Sequence, residues 1–156
     1  MKKLTFYFFL FAGIGTVSVS CTDDDSKSTS VNVQPVIDAA ANGSWKITNY
    51  VDSGTNHTSQ FSAYEFVFSG NTVTATSAAN VYTGVWSVTS SHSDDSHDDD
   101  SHNSDDIDFN ISFTSPANFT ELSDDWDIIS YSSAKIELID ISGGNGGTDY
   151  LTFEKI

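Results

Sequence analysis

Residues 107–113 read Ile107-Asp108-Phe109-Asn110-Ile111-Ser112-Phe113, so large apolar side chains alternate strictly with polar ones. A period of two places successive side chains on opposite faces of an extended chain. The stretch therefore predicts a β-strand with one buried and one solvent-facing side. It is the clearest strand signal in the sequence and indicates an all-β protein.

Seven further short segments carry the alternation or the β-branched and aromatic residues that are typical of strands. These segments are Trp45–Val51, Tyr64–Phe68, Thr72–Thr76, Val81–Val88, Trp126–Tyr131, Lys135–Ile141 and Tyr150–Ile156. In the first of them, alternation predicts that Trp45, Ile47, Asn49 and Val51 share one face. No segment sustains a helical repeat, although Pro35–Asn42 is compatible with one short turn of helix ended by a glycine.

Eight consecutive strands with short connections suit two all-β architectures. An up-and-down antiparallel barrel closes on itself and leaves no sheet edge exposed. A sandwich of two packed sheets is the alternative. The strand pattern by itself leaves both open, and the order of several short motifs favours the barrel.

Four of these motifs follow one another along the chain. They are Gly43-Ser44-Trp45, Tyr82-Thr83-Gly84-Val85-Trp86, Phe119-Thr120-Glu121-Leu122 and Leu151-Thr152-Phe153-Glu154-Lys155. In these motifs the chain resembles the lipocalin-like family of bacterial lipoproteins over residues 43–156. The resemblance implies an eight-stranded antiparallel up-and-down barrel in which Gly43 opens the first strand and Trp45 packs across the closed end.

Lipocalins usually stack an arginine over that tryptophan, and this chain has no arginine. We therefore expect a lysine, either Lys155 or Lys135, to cover Trp45, although an ammonium group is a poorer planar partner than a guanidinium.

The N-terminus has the layout of a secretory signal. Lys2 and Lys3 precede the apolar run Leu4–Gly15, and small residues follow as far as Ser20. The run is too short to span a bilayer. Cys21 is the single cysteine of the chain and comes directly after these residues. An unpaired thiol in an exported protein needs an explanation, and acylation by the lipoprotein pathway supplies one. An ordinary secreted protein with a free thiol is the alternative.

These features predict a signal peptide over residues 1–20, a lipidated acidic tether over 21–34 and a barrel domain over 35–156. The tether has few large apolar groups, so it cannot bury enough surface to fold. Asp23, Asp24 and Asp25 follow the cysteine. In lipoproteins of the Bacteroidota kind, which this leader resembles, such a cluster acts as a signal for export to the cell surface. We therefore expect a lipid anchor in the outer membrane and exposure outside the cell. A merely solvated tether is the alternative.

The chain is strongly acidic, with a net charge of −16 over 156 residues. Removal of the leader would take away two lysines and make the charge more negative still. Such a charge repels nucleic acid and anionic lipid headgroups, so neither is an expected partner. The expected contact with the membrane is the lipid alone.

The interior of the predicted barrel is rich in aromatic residues. Alternation places Phe66, Phe68, Phe109, Phe113 and Phe153 on the inside. An eight-stranded barrel either fills its interior with side chains or holds one small ligand. The five rings are therefore candidates to line a site for a small apolar ligand, and an aromatic-packed core is the alternative.

An unusual insert at residues 91–106 separates the fourth and fifth predicted strands. Its histidines recur every five residues and are surrounded by aspartates. Imidazole and carboxylate suit Zn²⁺, Ni²⁺ or Cu²⁺, so the insert predicts weak capture of a divalent metal. The candidate ligands are His92, Asp94, His97, Asp99 and His102. A hydrated, disordered loop is the alternative, because ordering the chain opposes a defined site by about 1–2 kcal/mol per residue.

The sequence carries no recognisable catalytic arrangement. No serine lies in a Gly-x-Ser-x-Gly turn, and the predicted lipid consumes the thiol, so we expect no enzyme and no resident cofactor. Two function classes remain. One is a surface-anchored protein that binds a small apolar ligand in its barrel. The other is a surface interaction or structural lipoprotein with a filled barrel and a weak metal-binding loop.

Overall fold

The computed structural model describes residues 31–91, 106–142 and 147–156. Within these residues strands dominate, and helical structure is confined to three short segments. In chain order the elements are α1 (Gln34–Ala41), β1 (Trp45–Asp52), β2 (Thr55–Asn56), the 3-10 helix η1 (Thr58–Phe61), β3 (Glu65–Ser69), β4 (Thr72–Thr76), β5 (Val81–Ser91), β6 (Asp106–Ser112), α2 (Ala117–Thr120), β7 (Asp124–Tyr131), β8 (Lys135–Ile141) and β9 (Thr148–Lys155).

The strands form one antiparallel sheet that closes into a barrel. Each strand from β3 to β8 pairs with the next one along the chain, and β9 returns to pair with β1 over six residue pairs. The circle closes between β1 and β3 through the pair Trp45–Phe66. The two-residue strand β2 only extends β1 as a hairpin. The predicted eight-stranded antiparallel up-and-down barrel, consistent with a lipocalin-like fold, is thereby confirmed, and the two-sheet sandwich is excluded.

All eight predicted strand segments correspond to strands of the barrel. The largest difference in length is in β5, which continues to Ser91, and β6 begins at Asp106. The predicted insert at residues 91–106 therefore starts and ends on paired strands, while residues 92–105 lie outside the described ranges. The predicted turn of helix before the barrel is confirmed as α1.

One prediction about the first strand is wrong. Trp45 and Ile47 point into the core as expected, but the next buried residue is Tyr50, and Val51 faces outward. The pairing of β1 with β9 shifts between Ile47 and Asn49. One extra residue in β1 reverses the alternation beyond this bulge. Val51 therefore does not share the face of Trp45.

Short helices cover both ends of the barrel. At the end where β1 begins, α1 buries Val36 and Ala40 completely, and the indole nitrogen of Trp45 donates a hydrogen bond to the Ala40 carbonyl at 2.8 Å. At the opposite end, η1 and α2 place Phe61 and Phe119 in the same continuous core. Within the described residues, no helix is long and apolar enough to cross a bilayer.

Gly84 allows β5 and β6 to approach each other closely. A Cβ atom at this position would lie 2.5 Å from the carbonyl oxygen of Ser112 and 2.9 Å from the ring of Phe113. Any side chain would force the two strands apart. The glycine in the motif around Tyr82–Trp86 is therefore a requirement of strand packing.

Candidate functional site

The barrel interior is the first candidate for a ligand-binding site, because an eight-stranded barrel can hold one small ligand there. The five phenylalanines predicted to line it all point inward, and none is more than 3% exposed. Each has another ring beside it. The ring centroids are 5.4 Å apart for Phe68–Phe109, 5.4 Å for Phe68–Phe153, 5.5 Å for Phe66–Phe153 and 5.1 Å for Phe113–Phe119.

These distances are those of directly packed aromatic rings. Phe119 lies among the rings at the η1–α2 end and is completely buried, 5.2 Å from Phe61 and 5.0 Å from Tyr64. The interior rings therefore pack against one another, and the helix α2 adds a further ring at one end. A ligand at these positions would have to displace side chains of the protein.

Trp86 is the exception in this core. Its side chain is 3% exposed and packs against Phe68 and Phe109, with ring centroids 5.0 and 5.5 Å apart. Its indole N–H has no hydrogen-bond partner among the described residues. The indoles of Trp45 and Trp126, in contrast, donate to backbone carbonyls. A buried donor without a partner costs about 1–3 kcal/mol. Trp86 Nε1 is therefore the interior atom most available to donate a hydrogen bond to the acceptor group of a ligand.

The closed end brings together the three residues that the family resemblance singles out. Lys155 pairs with Trp45 across β9 and β1, and its ammonium lies 5.7 Å from the indole centroid. Gly43 has a φ of +98°, and a Cβ there would lie 2.7 Å from the Lys155 side chain. Lys135 instead pairs with Glu137 at 2.6 Å. The lysine that covers Trp45 is therefore Lys155. The contacts among Gly43, Trp45 and Lys155 stabilise this end of the barrel.

The opposite end carries a rim of carboxylates that the sequence analysis missed. Asp140 pairs with Asp149 where β8 meets β9, and Asp52 ends β1 beside them. Burial, and then the negative charges of Asp52, Glu121 and Asp149, raise the pKa of Tyr50 well above its usual range. The Tyr50 hydroxyl donates to the Glu121 carbonyl at 2.7 Å. These aspartates therefore concentrate negative charge around one mouth of the barrel.

Asp124 belongs to the same region. Partial burial, together with a hydrogen bond to Asp125 and the charge of Asp140, raises its pKa to about 6. It also borders a cleft of about 290 Å³ on the barrel wall, lined by Val85, Asn110, Ile111, Ser112, Ser123 and Asp124. Among the described residues, no group of three or more His, Cys, Asp or Glu side chains is arranged to hold a metal ion.

Comparisons of the chain with family models, curated proteins and solved structures find no match. The barrel topology is thus supported by the structure, and the lipoprotein assignment depends on the leader sequence. The predicted anchor Cys21, the export signal Asp23–Asp25 and the five metal-ligand candidates of the insert all lie outside the described residues. Their roles stay predictions.

The raised pKa of Asp124 predicts a pH dependence of stability. The folded protein holds this proton more tightly than the unfolded chain, so stability falls as the pH rises from about 4 to about 7. Asp124→Asn removes this dependence and stabilises the protein at pH 7 by an amount of the order of 1 kcal/mol after allowance for solvent screening. Urea denaturation at pH 4.5 and pH 7.5 measures the difference.

Asp38→Asn is the matched control, because it removes one carboxylate from α1 at the other end of the barrel. It should leave the pH dependence unchanged. An equal gain from both substitutions at pH 7.5 would mean that lower net charge, and not the surroundings of Asp124, is responsible.

Proposed function

We propose that this protein is a lipid-anchored, lipocalin-like barrel at the cell surface that acts as an interaction module through its outer wall. The observation that carries this proposal is the packing of the interior, where the aromatic rings contact one another and helical segments cover both ends. A protein whose interior is occupied by its own side chains presents its function on its surface.

The direction of the chain supports a defined orientation. A chain anchored at Cys21 enters the barrel through α1, and the strand that carries Lys155 ends beside it. The anchor would therefore hold the α1 end nearer the membrane. The carboxylate rim at the opposite end would point into the medium, where partners are met.

The charge of the chain supports attachment by lipid alone. A net charge of −16 repels anionic headgroups. Each buried methylene of an acyl chain contributes about 0.8 kcal/mol to membrane binding, and two chains or more give durable attachment. The lipid at Cys21 would hold the protein while its acidic surface stays in water.

A second candidate function is supported by a single observation, the unpaired N–H of Trp86. A small apolar molecule with one hydrogen-bond acceptor would satisfy this donor inside an otherwise apolar interior. Such a ligand would make the protein a carrier, and the rings around Trp86 would have to rearrange to admit it.

Titration with the neutral apolar dye prodan, whose ketone oxygen is a hydrogen-bond acceptor, separates the two functions. With a filled interior we expect no saturable fluorescence increase and no movement of the Trp86 indole N–H signal in an NMR spectrum. The variant Trp86→Phe identifies that signal, and the removal of a buried donor that has no partner offsets part of the cost of the lost ring volume. Stoichiometric dye binding that shifts the signal and is lost in Trp86→Phe would establish the carrier function instead.

A further inference from the structure

An apolar row crosses the outer wall of the barrel on three adjacent strands. Val51 of β1 pairs with Tyr150 of β9, and Tyr150 pairs with Ile139 of β8. The residues directly before or after them, Tyr50, Leu151 and Leu138, are buried in the core, so this row faces outward. We call Val51, Tyr150 and Ile139, together with Ile141, the outer apolar row.

The row is exposed and continuous. Tyr150 is 41% exposed and Ile141 is 66% exposed, while Val51 and Ile139 are half-buried by their neighbours. Directly paired residues on antiparallel strands have their Cβ atoms about 4.5–5.5 Å apart, so the side chains touch across the strands. Ile129, in the bulge of the neighbouring strand β7, is a further exposed apolar residue.

Other parts of the outer wall are different. Where β5, β6 and β7 meet, the outward pairs join serine, threonine, asparagine and aspartate side chains. These residues are Ser87, Asn110 and Asp125 in one row and Thr89, Asp108 and Asp127 in the next. Val67 of β3 and Val81 and Val85 of β5 are also exposed, but each of them pairs with a threonine of β4. The outer apolar row, in contrast, joins apolar residues across three paired strands, and such an exposed apolar strip is typical of an interaction site.

Charge around the row identifies the kind of partner. The rim aspartates Asp52, Asp140 and Asp149 lie at the same end of these strands, on the face opposite to the row. On the outer face itself, Asp127 of β7 pairs with Ile139, and Glu137 lies two residues before Ile139 on the same side of β8. The lysines of the described residues lie at the other end, Lys46 near the start of β1, Lys135 at the start of β8 and Lys155 at the end of β9. The row is therefore bordered by negative charge, which complements a basic partner and opposes a second acidic copy of this chain.

We propose that the outer apolar row is the docking surface for a partner protein that presents apolar side chains flanked by lysine or arginine. This inference rests on the proposed function and names the surface and the partner chemistry. Tyr150 is its central residue, because exposed tyrosines with a large apolar body and a polar tip dominate many interfaces. The small apolar area favours a weak, salt-sensitive contact.

Three synthetic peptides serve as probes, with alternating Lys and Leu, alternating Glu and Leu, and alternating Lys and Ser. They are titrated into the full chain carrying Cys21→Ser, and amide shifts are followed by NMR. We expect the Lys–Leu peptide to shift amides of β1, β8 and β9 around the row, and to bind more weakly as salt is added. The Glu–Leu peptide should not bind.

The double variant Tyr150→Ser with Ile141→Ser should weaken binding of the Lys–Leu peptide about tenfold or more, as loss of interface anchors does. Val81→Ser with Val85→Ser is the matched control, because these valines are 63% and 58% exposed on β5, away from the row. The control should bind as the parent does. Circular dichroism of both variants shows that they remain folded.

Three outcomes of the peptide titrations would overturn the proposal. They are equal binding by the row variant and the control, equal binding of a Lys–Ser peptide, and amide shifts that map to β5. Sedimentation without peptide tests the alternative occupant, since a dimer lost in the row variant would assign the surface to a second copy. Dye binding in the interior would refute the proposed function separately. Failure of the peptide test without dye binding would refute only the location and chemistry of the surface.

Discussion

Replacing Trp45 with alanine lowers the free energy of unfolding by about 3–5 kcal/mol, the range for loss of a large buried aromatic side chain. The side chain is completely buried, and its indole nitrogen donates to the Ala40 carbonyl. Trp45 also forms the residue pair that joins β1 to β3. The substitution thus removes core volume, the attachment of α1 and packing at the closure of the barrel. Urea denaturation followed by circular dichroism measures the change.

Two control substitutions separate these contributions. Trp45→Phe keeps an aromatic ring but loses the bond to Ala40, so it should cost less than alanine and more than the hydrogen bond alone, which contributes about 1 kcal/mol. Lys155→Met keeps the aliphatic cover over the indole and removes only the cation, so its cost should stay below about 1 kcal/mol. A Trp45→Ala cost no larger than that of Lys155→Met would contradict the closing role of Trp45.

Replacing Cys21 with serine should release the protein from the membrane fraction almost completely. The serine hydroxyl cannot receive the lipid through a thioether, and the acidic chain has no expected affinity for anionic headgroups. Fractionation of cells followed by mass determination of the released protein measures both the location and the missing acyl mass. Persistent membrane association of the Cys21→Ser protein would contradict lipid anchoring.

A companion variant isolates the export signal. Substitution of Asp23, Asp24 and Asp25 by alanine should leave the lipid mass unchanged and reduce digestion by protease added outside intact cells. The same extent of digestion as in the parent would mean that these aspartates only keep the tether solvated.

The strands were predictable because apolar and polar residues alternate in the sequence of a strand that has one buried and one exposed face. The alternation at residues 107–113 survives in the structure, with Phe109 and Ile111 inside. The bulge in β1 was not predictable by the same reasoning, because Tyr50 and Val51 both have apolar bodies and either one could be the buried residue at the end of the strand. The shift is visible only once β9 is placed beside β1, and it exchanges Tyr50 and Val51 between core and surface.

The inward positions of the five phenylalanines were likewise predictable, but the state of the interior was not. Whether a barrel is open depends on what covers its ends. Here Phe61 and Phe119 do so from η1 and α2, which have four residues each. A single turn is too short to show a helical period. The carboxylate rim and the outer apolar row also escaped notice, because each is assembled from residues on separate strands.

The closure of the barrel has a mechanical consequence. β1 joins β9 through six residue pairs but meets β3 through the single pair Trp45–Phe66. A pull on the N-terminal side of the domain reaches the barrel through α1 and Gly43, and so arrives first at Trp45, the residue that carries this pair. In an anchored protein under shear, the force would act on the β1–β3 junction, which has the fewest residue pairs. There the β3–β4 hairpin can separate from β1 while the strands from β5 to β9 stay paired. The direction of the force, and not only the depth of the core, would then set how long the folded domain survives at a cell surface.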